Sequence, residues 1–80
     1  MAREPRIVAV VAEMVANVVE VGVAPGDKVA VGDTVVLLES MKMEIPVLTE
    51  AAGTVAEIKV GAGDVVQEGD ILVTVEPALD

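Results

Sequence analysis

Residues 39–44 read Glu-Ser-Met-Lys-Met-Glu and hold the group best suited to covalent chemistry, Lys42, between Met41 and Met43. A primary amine on a flexible stem can attack an activated carboxyl group. The N–C bond forms, the activating group and a proton depart, and a stable amide remains. The two thioethers are soft and adaptable, which suits a recognition surface for the enzyme that would acylate the lysine. Glu39, Ser40 and Glu44 complete the stretch.

Other chemistries lack their residues. The 80-residue chain has neither cysteine nor histidine. That removes disulfides, thiolate catalysis, the Ser-His-Asp triad and the commonest metal ligands. Carboxylates are plentiful, but none are spaced as in an EF-hand loop, and there is no phosphate-binding loop. No nucleophile–base pair is apparent, so the chain is not expected to be catalytic. Aromatic residues are absent, which removes the stacking platforms used for single-stranded nucleic acid. A net charge of −9 disfavours phosphate backbones and anionic membranes. That charge either keeps a small protein soluble or steers it toward basic patches on partner enzymes, and both readings stand.

The elements that must position Lys42 are strands. Hydrophobic residues make up 54% of the chain and are dominated by valine, which favours β structure. Expected strands are Ile7–Val11, Met14–Val23, Lys28–Val31, Thr34–Glu39, Glu44–Leu48, Thr54–Val60, Val65–Glu68 and Ile71–Glu76, with Pro77 ending the last. Met1–Pro5 reads as a loose end. A helix over residues 7–21 competes with the first two strands, but the matching later segment is broken by Pro46 and Gly53. Pro46 belongs at an edge or on an unpaired side, because it cannot donate to a ladder. Ala51-Ala52-Gly53 reads as a break. Arg3, Arg6 and Ile7–Ala12 are too short a pattern for a signal peptide, and Glu13 interrupts it. No stretch is long enough to span a bilayer as a helix, and the expected compartment is the cytoplasm.

Shifting the chain by 37 positions lays residues of about 7–39 on 44–76. Val18 meets Val55, Glu20 meets Glu57, and Val36 meets Val73. The turn pairs Gly26-Asp27 and Gly32-Asp33 meet Gly63-Asp64 and Gly69-Asp70. Two such four-stranded units facing each other would bury one common core as a sandwich or flattened barrel, related by a pseudo-twofold axis. The same shift carries Lys42 to Leu79 or Pro5. The lysine turn is therefore expected at one pole and both termini at the other, within a single domain spanning residues 1–80. A two-residue hairpin would put Met41 and Lys42 at its tip. Such turns prefer Asn-Gly or Asp-Gly, so Met-Lys is a poor local choice and a reason to suspect a site. The turn alone leaves open a longer loop with the methionines tucked into the core.

With these residues in view, the chain resembles the biotinyl domains of the biotin carboxyl carrier family. The resemblance runs from Gly26-Asp27 through Glu39–Glu44 and Gly53-Thr54-Val55 to Gly69-Asp70. It implies an all-β flattened barrel of two four-stranded antiparallel sheets, the hammerhead fold shared with lipoyl domains. It also implies covalent biotin on Lys42, with Met41 and Met43 read by a biotin protein ligase and Glu39, Ser40 and Glu44 flanking them. The carrier would take a carboxyl group at a biotin carboxylase and deliver it at a carboxyltransferase, acting as a monomeric, non-catalytic component of a biotin-dependent carboxylase. Ser40 departs from the family pattern, in which alanine usually precedes Met-Lys-Met. The inserted segment that some bacterial carriers place between early strands is also missing. Two other readings remain: a lipoyl carrier of a 2-oxoacid dehydrogenase complex, and a structural module without a cofactor. Lipoyl sites usually have an acidic or small residue before the lysine and alanine after it, unlike Met41 and Met43.

Overall fold

Four similar turns and one dissimilar hairpin decide how the chain runs. In Ala24–Asp27, Ala30–Asp33, Gly61–Asp64 and Gln67–Asp70 the fourth residue's N–H donates to the first residue's carbonyl at 2.9–3.0 Å. The third residue is always glycine, with φ of 93–95°. These are type II turns, whose third position favours glycine. The aspartate closes each loop a second time: its carboxylate accepts the first residue's N–H at 2.8–2.9 Å. Type II geometry splays flanking strands, whereas hairpins need positive φ at the first central residue. Pro25, with φ locked negative, cannot supply it. These turns therefore carry the chain across the molecule instead of folding it back.

The structure, a computed structural model, describes residues 7–78. The end expected to be loose, Met1–Pro5, lies outside the described residues, as does Leu79. The strands are β1 (Val8–Val11), β2 (Ala16–Val21), β3 (Lys28–Val29), β4 (Thr34–Ser40), β5 (Met43–Leu48), β6 (Gly53–Ile58), β7 (Val65–Val66) and β8 (Ile71–Pro77). They form two four-stranded antiparallel sheets, β1-β8-β6-β3 (sheet 1) and β5-β4-β2-β7 (sheet 2). The all-β flattened sandwich expected from the sequence is the fold observed, with strands instead of a helix over residues 7–21.

The two halves do not each make a sheet, as facing units would. Each half gives two strands to each sheet, because successive strands alternate between sheets at every connection except β4–β5. Neither half could close a core without the other. Exchanging β1–β4 for β5–β8 turns one strand order into the other, which is the pseudo-twofold relation. Single hydrogen bonds obey it too: Val18 N–H to Asp64 O and Val55 N–H to Asp27 O are both 2.8 Å.

Several boundaries move for local reasons. β2 begins at Ala16 instead of Met14, because the Ala12 N–H and carbonyl are taken by Asp70 and Gly69. β3 and β7 stop at two residues, since Val31 and Glu68 are second residues of turns. Gly53, expected to break the chain, instead starts β6 opposite Pro77. Pro46 lies on the edge strand β5, where a missing N–H is tolerated.

The core is aliphatic. Leu38, Leu72, Val35, Val36, Val55, Val66, Val73 and Val75 are almost wholly buried between the sheets. Buried Thr49 satisfies its own hydroxyl by donating to Ala51 O at 2.8 Å and accepting the Ala51 N–H at 3.1 Å. Branched aliphatic side chains with few rotamers pack such a narrow interior without aromatic bulk.

Candidate functional site

The β4–β5 hairpin is the only connection among the described strands that stays within one sheet. Its ladder runs Leu38–Ile45, Glu39–Glu44, Ser40–Met43, and the two-residue tip is Met41-Lys42. Met41 has φ 53° and Lys42 φ 66°. Positive φ at both central positions marks a type I′ turn, which matches the twist of the strands it joins. Leu38 and Ile45, the third residue pair below the tip, anchor the hairpin to the core.

The side chains at this tip face water. Met41 is 91% exposed and Met43 64%, so neither methionine fills the core. Lys42, Glu39 and Glu44 are exposed, and Ser40 is half-buried. Among the described residues Lys42 makes no ion pair, and the single pair observed joins Lys59 to Glu57 at 3.0 Å. The hairpin thus brings together all six residues singled out in the sequence. The sheet adds a seventh that the sequence did not point to, Asn17 of β2, opposite Glu39. Only a register between β2 and β4 could have placed it there.

The tip is remote from the described chain ends. β5 leads away from it for six residues, about 20 Å at ~3.3 Å per residue. The chain then turns into Gly53, which pairs with Pro77, and the Ala78 N–H donates to Ala52 O at 2.9 Å. Val8 lies opposite Val75 on the same strand. The described ends of β1 and β8 therefore lie at the pole opposite Lys42.

A groove of about 290 Å³ opens between the edge strands β1 and β5, lined by Val8–Val11 and Ile45–Leu48 among others. It does not include Met41, Lys42 or Met43. Among the described residues no three acidic side chains are placed to hold a metal ion. The arrangement can present an amine to another protein's active site, and it offers no enclosure at the tip for chemistry of its own.

Comparison with known proteins agrees with this geometry. The chain belongs to the biotin/lipoyl family, whose family model, described as "Biotin-requiring enzyme", matches residues 3–75. Over 37 residues, 46% of this chain, it is 70% identical to the "Biotinylated protein TB7.3" of Mycobacterium tuberculosis. A homologue of that protein in Mycobacterium leprae is 68% identical over the same length. The match takes in 52% of these relatives, so the chain spans about half the length of the curated relatives it matches. Among solved structures, a single-chain, multi-domain long-chain acyl-CoA carboxylase superimposes over the whole chain, with TM-score 0.86 and 29% identity, using 8% of that protein. Urea carboxylase of Kluyveromyces lactis matches 94% of the chain with TM-score 0.84 and 28% identity, using 7% of that protein. The lipoyl domain of the 2-oxoglutarate dehydrogenase complex of Azotobacter vinelandii matches 80% of the chain and 82% of its own, with TM-score 0.67 and 32% identity.

Proposed function

We propose that this chain is a biotin carboxyl carrier, with biotin joined through an amide to Nζ of Lys42. The observation that carries the reading is the turn. A bulky lysine and a bulky methionine hold the left-handed conformation at an exposed tip, in a biotin/lipoyl family whose model is described as "Biotin-requiring enzyme". Left-handed backbone costs about 1–2 kcal/mol per non-glycine residue, so such a turn is retained where its side chains are needed.

The residues fit the group. Lys42 is exposed, has no competing ion pair among the described residues, and stands on a hairpin anchored by Leu38 and Ile45. When bound, biotin would supply a ring position able to carry a carboxyl group between two active sites. The chain's own contribution is positional. The rigid sandwich holds the stem root, the lysine stem supplies reach, and Met41 and Met43 offer adaptable contacts to a biotin protein ligase. Glu39, Ser40 and Glu44 form the base of that surface. The tip, remote from the described ends, would visit a biotin carboxylase and then a carboxyltransferase, with the chain acting as a monomer and catalysing neither step.

A lipoyl carrier is the second reading, supported by the likeness to the Azotobacter vinelandii lipoyl domain. Higher structural similarity to two carboxylases and the "biotinylated" relatives favour biotin. The carrier role is tested with the biotinylated chain, a biotin carboxylase, ATP and labelled bicarbonate. Label should accumulate on the wild type and not on Lys42→Arg. A biotinylated wild type that takes up no label would overturn the carboxyl-carrier role.

A further inference from the structure

The pseudo-twofold relation supplies a comparison inside the molecule. Residues 37 apart occupy matching strand positions in the two sheets, so where their registers also match, differences between them point to demands other than folding. The outer faces of the two sheets differ in this way. On sheet 2 a row crosses Pro46, Leu37 and Glu20. The equivalent row on sheet 1 is Ala9, Thr74 and Glu57.

Thr74 supports the backbone of its sheet. Its hydroxyl accepts the Glu57 N–H at 3.1 Å, at the irregularity where β6 slips against β8. Leu37 stands at the matching irregularity between β2 and β4 and has no atom to accept that bond. Nor does it repay the loss inside. Leu37 is half-buried and lies outside the core cluster, unlike its neighbours Val36 and Leu38. Leu37 thus stands where sheet 1 has a residue that suits the backbone, on an outer face and beside an exposed proline.

Charge departs from symmetry in the same place. On sheet 1, Glu57 is paired with Lys59, and Lys28 stands opposite Thr54. The equivalents of the two lysines are Gly22 and Val65, so Glu20 has no such partner on sheet 2. Glu44 adds a second carboxylate, where the equivalent residue, just before β1, is Ile7. Sheet 2, which carries the Lys42 hairpin, therefore shows half-buried Leu37 and exposed Pro46 beside three carboxylates, Glu20, Glu39 and Glu44, without ion-pair partners among the described residues. An apolar spot with an unneutralised rim is the pattern of a protein contact, and the rim charge sets the complementary sign.

We infer that the outer face of sheet 2 around Leu37, Pro46, Glu20 and Glu44 is the seat for the enzyme that biotinylates Lys42. That enzyme would present an apolar contact flanked by arginine or lysine side chains. This rests on the biotin-carrier reading and extends the contact from Glu44 of the hairpin motif to Pro46, Leu37 and Glu20 outside it. Leu37 and Glu20 are positioning residues, because they hold the partner while only Lys42 reacts.

The test is the initial rate of biotin incorporation by a biotin protein ligase, measured against chain concentration. Leu37→Thr copies the residue sheet 1 uses at this position, so the fold should accept it. Its KM should rise about tenfold with kcat little changed, the signature of lost uniform binding. Glu20→Lys, outside the hairpin motif, should also raise KM several-fold, and Glu57→Gln on the opposite face should leave it unchanged. Added salt should raise KM for the wild type and less so for Glu20→Lys. Circular dichroism melts check folding, and Glu20→Lys, at an exposed position, carries the test if Leu37→Thr fails to fold. KM values within twofold of wild type for both variants would overturn the inference while leaving the carrier reading intact. A wild type that takes no biotin on Lys42 would instead defeat the carrier reading, and this inference with it.

Discussion

Met41 and Lys42 sit side by side in the left-handed region of backbone space, and every other described residue with positive φ is a glycine. The same chain places glycine at the third position of all four Gly-Asp turns and spends none on the hairpin. The hairpin is therefore the place where local preference yields to side-chain identity.

Lys42→Gly should make the protein more stable while removing the modified group. Relief of left-handed strain is about 1–2 kcal/mol, and the added freedom of glycine in the unfolded chain offsets about 0.4–1 kcal/mol of it. A net gain of about 0.5–1 kcal/mol should appear as a higher urea midpoint. A fall in the midpoint would show that Lys42 stabilises the tip in the folded state and is not strained there.

Gly53→Ala should be severely destabilising. A methyl group there would overlap the Glu76 carbonyl and come within 2.8 Å of Pro77 Cα, both of them backbone. β6 and β8 would have to separate at the pole opposite Lys42. Overpacking costs about 1–3 kcal/mol where side chains can give, and more against backbone. In an 80-residue domain that is a large share of total stability. The check is the thermal midpoint. Ala16, the residue equivalent to Gly53, already carries its methyl group in the core.

The turn aspartates should act as four separable units. Asp33→Ala removes the bond to the Ala30 N–H and should cost about 0.5–1.5 kcal/mol. Asp33→Asn keeps an acceptor oxygen and should cost less. Asp70→Ala, which loses the matching bond to the Gln67 N–H, should have a similar effect, and the two should add, because the turns share no partners. Denaturant melts of the single and double variants measure this. Strong non-additivity would mean that the turns are coupled through the core.

Much of this arrangement was legible in the residues. The Gly-Asp pairs repeat at a fixed offset because glycine serves the left-handed turn position and aspartate closes the loop onto it, and both roles are local. The Met41-Lys42 tip was legible only as one of two options, since strands expected at Thr34–Glu39 and Glu44–Leu48 left a longer loop open until the Ser40–Met43 pair closed it. The alternation of strands between sheets was not. It depends on type II turns splaying their strands, and facing units would show the same apolar pattern. The exposure of Met41 and Met43 was not legible either, because methionine is equally at home in a core and on a contact surface. The uneven outer faces needed the register, which pairs Leu37 with Pro46 and Thr74 with Ala9.

The most direct test of the central claim is peptide mass analysis of the purified chain after exposure, in parallel, to a biotin protein ligase with biotin and a lipoate ligase with lipoate. Lys42→Arg serves as the control. The expected result is a single biotin adduct on the peptide containing Lys42, none on Lys28 or Lys59, none in the variant, and no lipoyl adduct. A lipoyl adduct on Lys42 without biotin, or biotin on a different lysine, would contradict it.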